Sequence, residues 1–134
     1  MAGTMTWPRM DGLRTLELGS PGELRQELVG LVLSGPKRAT AGLLSDYEIE
    51  GEDLESVGER LVLIGDDGGR VGLVEITGVD VVPFAEVSDD FAEEEGEGFT
   101  GRLDWATAHR AYWERIGRRI DDRTPVVCLR FKLL

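Results

Sequence analysis

The sequence predicts an α+β fold, a small mixed β-barrel with helices packed at its rim, and three observations carry that prediction. Several short runs rich in β-branched and aliphatic residues are punctuated by Gly, Asp and Pro. Two or three segments repeat apolar residues at helical period. Strands and helices do not alternate regularly, as βαβ units of a doubly wound sheet would. A chain of 134 residues with 41% hydrophobic content is long enough for one domain with a substantial core. The boundaries read as a loose extension over residues 1–12, in which Trp7 is suited to packing, and a single domain over 13–134.

The first helix reads over residues 21–34. Ser20 suits the cap, Pro21 the first helical position, and Glu23 stands three residues after Ser20, the spacing of a reciprocal capping box. Leu24, Leu28, Leu31 and Val32 form its apolar stripe, and Gly35-Pro36 ends it. A strand follows over about Thr40 to Leu44. The connection, Gly35-Pro36-Lys37-Arg38-Ala39-Thr40, places an amine and a hydroxyl three residues apart. The chain has thirteen arginines but only two lysines, Lys37 and Lys132. An ammonium can lose its proton when desolvated or act as a compact charge, whereas a guanidinium stays charged. Residues three apart on a flat strand face opposite sides, so Lys37 and Thr40 meet only if the chain turns or bulges between them.

Leu61 to Gly65 and Arg70 to Val82 flank Asp66-Asp67-Gly68-Gly69, a hairpin pattern in which turn chemistry, rather than metal binding, accounts for the two aspartates. Ser88 caps a short acidic helix that points Phe91 inward and leaves Glu93 and Glu94 as a solvated face. Glu95 is the last acid before Gly96-Glu97-Gly98-Phe99-Thr100-Gly101, a loop that lacks the Lys-Ser/Thr ending of a phosphate cradle. A carboxylate at that bend either orients a lysine or serves as a general base. The last helix reads over Asp104 to Ile120 and puts Trp105, His109, Tyr112, Trp113 and Ile116 on one face. Such a stripe is ordinarily core, with Trp105 at the helix start placed to border a pocket. Arg115, Arg118, Arg119 and Arg123 gather towards the end of that helix, where they either complement its dipole or form a phosphate patch. Pro125 to Leu134 reads as the closing strand.

Composition excludes several classes of function. A net charge of -11 argues against non-specific grip on duplex DNA, which relies on many cations releasing counterions. The lone Cys128, within Val126-Val127-Cys128-Leu129, excludes an intramolecular disulfide and a Cys-rich zinc site, and reads as a buried thiol. His109 is the only histidine and has no partner His or Cys for a metal. With neither a signal-type start nor a membrane-length apolar run, the expectation is a cytoplasmic protein.

Four motifs in order point to a family. They are Gly35, Lys37 and Thr40 after a helix; Val81-Val82-Pro83-Phe84-Ala85-Glu86-Val87; Phe91-Ala92-Glu93-Glu94-Glu95-Gly96-Glu97-Gly98; and Trp105-x-x-x-His109-x-x-Tyr112-Trp113. Together they resemble the ASCH domain, a branch of the PUA-like superfamily, from about residue 13 to the end. The resemblance implies a small β-barrel with helices at its rim and a cleft in which Lys37 and Thr40 meet Glu95. It implies RNA or modified nucleosides as substrates. Short bacterial members that this sequence resembles are N4-acetylcytidine amidohydrolases whose Lys, Thr and Glu correspond here to Lys37, Thr40 and Glu95. Other members are RNA-binding modules or ribonucleases.

The expectation is therefore amide hydrolysis of an N4-acylated cytidine, with non-catalytic RNA binding or metal-independent RNA cleavage as the alternatives. Thr40 would attack the acyl carbon. Lys37 would accept its proton or stabilise the oxyanion, and Glu95 would hold Lys37 or act as the base. Arg38, Trp105 and His109 are the candidate substrate contacts. No cofactor and no metal are expected, and the partner is a small nucleoside or single-stranded RNA.

Overall fold

The structure, a computed structural model, describes residues 7–134. Ten elements follow in chain order: β1 (Arg9–Met10), β2 (Leu13–Leu16), α1 (Glu23–Ser34), β3 (Ala39–Leu43), α2 (Leu44–Glu50), β4 (Arg60–Ile64), β5 (Arg70–Pro83), α3 (Asp89–Glu94), α4 (Arg102–Arg115) and β6 (Pro125–Leu133). The strands form one six-stranded sheet in the order β1-β2-β4-β5-β6-β3, antiparallel except where β2 runs parallel to β4. The α+β class and the mixed sheet match the expectation, but the sheet does not close into a barrel: β1 and β3 are its edges.

Curvature comes from β5. Its first half pairs with β4 and its second half with β6, and the register shifts between Ile76 and Gly78, a bulge that bends the strand. The bend divides the interior. One core cluster gathers α1, Tyr47 and the β4 side of the sheet around Leu61, Leu63 and Val74. The other gathers Phe84, Phe91, Trp105 and Trp113 beneath β3 and the near end of β6. Burial of whole aromatic and aliphatic side chains in both clusters, at about 1.5–3 kcal/mol each, supplies the main driving force.

Of the extension expected over residues 1–12, residues 1–6 lie outside the described residues. Residues 7–12 are tied to the sheet. Asp11-Gly12, with φ of 55° and 78°, is a two-residue turn with both central residues left-handed, the geometry an Asp-Gly hairpin favours. It pairs Met10 with Leu13. Trp7 packs edge-to-face on Tyr47 at 4.6 Å between centroids.

Local sequence explains most element ends. Gly35 adopts φ 109° and its N–H bonds the carbonyls of Leu31 and Val32, closing α1 as its position predicts. The start of α1 differs from the expectation: Ser20 does not cap it. Asp66, in the β4–β5 turn, accepts from the Gly22 N–H at 2.5 Å and from Gln26 at 3.0 Å, while the Ser20 hydroxyl meets Tyr112 at 3.2 Å. A cap 44 residues away satisfies the open N–H as well as a local one and also ties the hairpin to the helix. Ser88 does cap α3, accepting from the Phe91 N–H at 3.0 Å. α4 ends at Arg115 rather than Ile120 because Gly117 turns left-handed with φ 89°, and Ile116 is consequently surface-exposed instead of completing the apolar face. Among the described residues, no helix is long and apolar enough to cross a membrane.

Candidate active site

One backbone contact assembles the site. The N–H of Arg38 bonds the carbonyl of Glu94 at 2.9 Å, so the end of α3 docks on the segment between α1 and β3. Gly96 makes that docking feasible. At φ 67° its α-carbon lies so close to Pro36 that an added Cβ would stand 2.2 Å from the Pro36 carbonyl oxygen. The side chains that this contact aligns are Lys37 and Glu95, fifty-eight residues apart in sequence.

Both are almost fully enclosed, at 2% and 1% exposure. The Lys37 Nζ donates to the Ala39 carbonyl at 2.8 Å and to Glu97 Oε2 at 2.7 Å, with Glu95 Oε1 and the Glu95 carbonyl each at 3.4 Å. Every neighbour is an oxygen acceptor, the surroundings that an ammonium needs in place of water. Lys37 is therefore held as a fixed charge rather than as a free base. It precedes β3 and folds its side chain back across the start of that strand, which is how it and Thr40 come to line one cavity despite their three-residue spacing.

Glu95 is gripped from the other side. Its Oε2 accepts from the Trp105 indole N–H and lies 3.3 Å from His109 Nε2. His109 Nδ1 faces the Trp105 carbonyl at 2.9 Å, so that nitrogen donates, and the imidazole stacks on the indole at 4.3 Å and 20°. Both ring nitrogens of His109 thus stand against oxygen atoms, one of them a Glu95 carboxylate oxygen. Burial alone would push the Glu95 carboxyl up. The hydrogen bond and charge of His109, the Lys37 ammonium and the indole N–H outweigh burial and hold it well below the usual carboxylate range.

Glu97 behaves in the opposite sense. Burial is again the largest influence, and the neighbouring Glu95 charge adds to it, so this carboxyl is raised despite its contact with Lys37. Its side chain keeps 20% exposure, between Gly96 and Gly98. One ammonium thus holds two carboxylates of different character. Glu95 is locked and ionised, whereas Glu97 is accessible and more easily protonated.

These groups face a cavity of about 240 Å³ between α1 and α4, at the seam of the two core clusters. Leu24 and Leu28 form one wall, Thr40 and Lys37 the floor, and Phe99 and Tyr112 part of the rest. The volume is below the roughly 300–1,000 Å³ typical of drug-sized ligands and suits a single ring system. Glu95, Glu97 and His109 converge, but the Lys37 ammonium occupies the place a metal cation would take. Among the described residues, no set of three His, Cys, Asp or Glu side chains is arranged to hold a metal.

Lys37, Thr40, Glu95 and His109 are therefore brought together; two further candidates are not. Arg38 is exposed on the opposite face, its Nε 3.3 Å from the Gly35 carbonyl and its side chain beside Asp90 and Glu93, because strand alternation sends it away from Lys37. Trp105 does not line this cavity: it is fully buried, and its polar edge is spent on Glu95. The arginine cluster is also divided, since Arg118 pairs with Asp46 at 2.8 Å and only Arg115 lines the cavity. Sequence reasoning did not assign Glu97, whose only signal was a carboxylate bracketed by two glycines. Cys128 is buried as expected, and burial pushes its thiol up to about 12.

The family model described as ASCH domain matches residues 15–134. The chain belongs to the ASCH domain family. Among solved structures it is similar to an ASCH domain from Lactobacillus crispatus JV V101, at 29% identity and a TM-score of 0.77 over 89% of this chain and 77% of that one. It is also similar to a protein of Enterococcus faecalis V583, at 25% identity and a TM-score of 0.76 over 87% and 72% of the two chains. A hypothetical protein at 16% identity and a TM-score of 0.58, over 81% of this chain and 93% of that one, shares the fold alone. No curated protein matches the sequence. The family is linked to RNA-related functions, and the ASCH fold here carries its polar cavity where α1, β3, α3 and α4 meet.

Proposed function

We propose that this ASCH domain hydrolyses an amide on a modified nucleoside, most specifically the N4-acyl group of an acylated cytidine. The observation that carries the reading is the Lys37 ammonium, buried between two carboxylates at the floor of a ring-sized cavity that Thr40 also lines.

The residues divide the work as follows. The Thr40 oxygen attacks the acyl carbon and its proton passes to Glu97, the more basic and accessible carboxylate. Negative charge developing on the acyl oxygen is met by a Lys37 N–H, released as Glu97 swings away from Nζ to take the proton. Collapse of the tetrahedral intermediate breaks the carbon–nitrogen bond, and the proton on Glu97 goes to the departing N4 amine of cytidine. Water then attacks the threonine ester, giving its proton to Glu97. As the ester carbon–oxygen bond breaks, Glu97 returns that proton to the Thr40 oxygen, so the acyl group leaves as a carboxylic acid and both residues are regenerated. Glu95 transfers no proton in this scheme. Held by Trp105 and His109, it fixes Lys37 in position, a duty that suits its depressed basicity.

The test is incubation of the purified protein with N4-acetylcytidine, with release of cytidine followed chromatographically beside Lys37→Ala. The reading predicts cytidine from the intact protein and a rate lower by about 10²–10³-fold in the variant, the usual cost of losing an oxyanion partner. No cytidine from the intact protein overturns it.

A further inference from the structure

We infer that the cavity accepts a nucleotide rather than a bare nucleoside, with Arg115 receiving a phosphate at its mouth. This refines the substrate class of the proposed reaction and rests on the same cavity. Arg115 is exposed, yet it lines the cavity that holds Lys37, Thr40 and Glu95. In this acidic chain eight of the thirteen arginines have a carboxylate within 4.0 Å, and Arg38 and Arg102 bond carbonyl oxygens. Arg115, Arg119 and Arg123 have neither kind of partner among the described residues, and of these three only Arg115 lines the cavity. Its guanidinium instead lies over the Tyr112 ring at 5.4 Å, a stacking that orients the planar fork while leaving its N–H edge free. Tyr112 is itself tied to Ser20 by a 3.2 Å hydrogen bond, so the stacked pair sits on a fixed support.

Placement along α4 supplies the scale. His109 and Arg115 both line the cavity and are six residues apart, about 9 Å along the helix axis at 1.5 Å per residue. A base seated against Lys37 and His109 directs its sugar along Tyr112 and the next group towards Arg115. An unpaired guanidinium at that place fits a planar-fork contact to phosphate oxygens. A phosphate of a free nucleotide and one within an RNA strand present the same chemistry to it.

Binding decides the inference, whether or not any amide is cleaved. Tryptophan fluorescence titrations of the intact protein with cytidine, cytidine 5′-monophosphate and a short single-stranded ribo-oligocytidylate, at low and high salt, read the affinities directly. The expected result is binding of cytidine 5′-monophosphate about tenfold tighter than cytidine, a ratio that shrinks with salt and that Arg115→Gln abolishes. The oligomer arm assigns the source: tighter binding than the mononucleotide indicates a strand, equal or weaker binding a free nucleotide, and either supports a phosphate at Arg115. Equal affinity for cytidine and its monophosphate overturns the inference, as does no binding of either, or an Arg115→Gln variant that weakens both equally. Binding of cytidine without hydrolysis of N4-acetylcytidine would refute the proposed reaction alone.

Discussion

Replacing Glu95 by Leu removes the one acceptor shared by Lys37, the Trp105 indole and His109. Removing one partner of a buried ion pair costs about 3–5 kcal/mol, and stranding a buried donor such as the indole N–H costs about 1–3 kcal/mol. These overlap, and Lys37 retains Glu97 at 2.7 Å and the Ala39 carbonyl at 2.8 Å. The loss therefore falls near 3–4 kcal/mol, a large fraction of the roughly 5–15 kcal/mol that stabilises a domain of this kind. At about 3–5 °C per kcal/mol for a chain of this length, Tm falls by about 10–20 °C. Urea and thermal unfolding followed by tryptophan fluorescence measure this. Acid supplies a second check. The folded Glu95 carboxyl titrates below its unfolded value, so its contribution is fully present above about pH 4.3 and is lost as pH falls through the folded value. The gap between wild type and variant should narrow below about pH 4. A variant within 1 kcal/mol of wild type at pH 7, or a gap that widens in acid, would refute the assignment of Glu95 as the ionised anchor of the site.

Three further outcomes are expected. Glu97 titrates above its ordinary value in the folded protein, so its contribution is present at low pH and is lost as pH rises through the folded value. Glu97→Gln should thus lower Tm little at pH 7 while cutting turnover by about 10²-fold; a large loss of stability with turnover intact would reverse the roles given to the two carboxylates. Gly96→Ala should cost more than about 2 kcal/mol, combining left-handed strain with a Cβ driven into Pro36 backbone, whereas Gly98→Ala, at φ 92° with nothing within 4 Å, should cost about 1 kcal/mol. Equal losses in urea melts would contradict the close approach. Asp66→Ala should raise amide exchange at Gly22 through loss of the α1 cap; unchanged exchange would show that the cap lies elsewhere.

Features set by neighbouring residues were legible in the sequence. Gly35 stops α1, the Asp66 to Gly69 turn joins β4 to β5, and Ser88 caps α3, each through local chemistry. Features set across the chain were not. The cap on α1 comes from Asp66 rather than Ser20, and no rule of local spacing points to it. α2 escaped the reading because it buries only Tyr47 and leaves Ile49 on the surface, so it has no apolar stripe to reveal it. The barrel expectation failed because strand runs disclose pairing partners poorly: β1 and β3 stay as the two edges of the sheet.

In the site, the motif resemblance pointed to Lys37, Thr40 and Glu95, but the roles depended on geometry. Lys37 proved to be ringed by acceptors and Trp105 to face inward on Glu95. Glu97 emerged only because a glycine on each side lets its carboxylate return to the same ammonium.

The covalent step is the part of the account most directly open to measurement. Protein quenched in acid during turnover of N4-acetylcytidine can be digested and mapped by mass spectrometry. The account predicts one acetyl group on the Thr40 hydroxyl, formed within the first turnover, lost on further incubation and absent from Thr40→Ala, which releases no cytidine. Full turnover by Thr40→Ala, or steady cytidine release with Thr40 never acetylated, would contradict it.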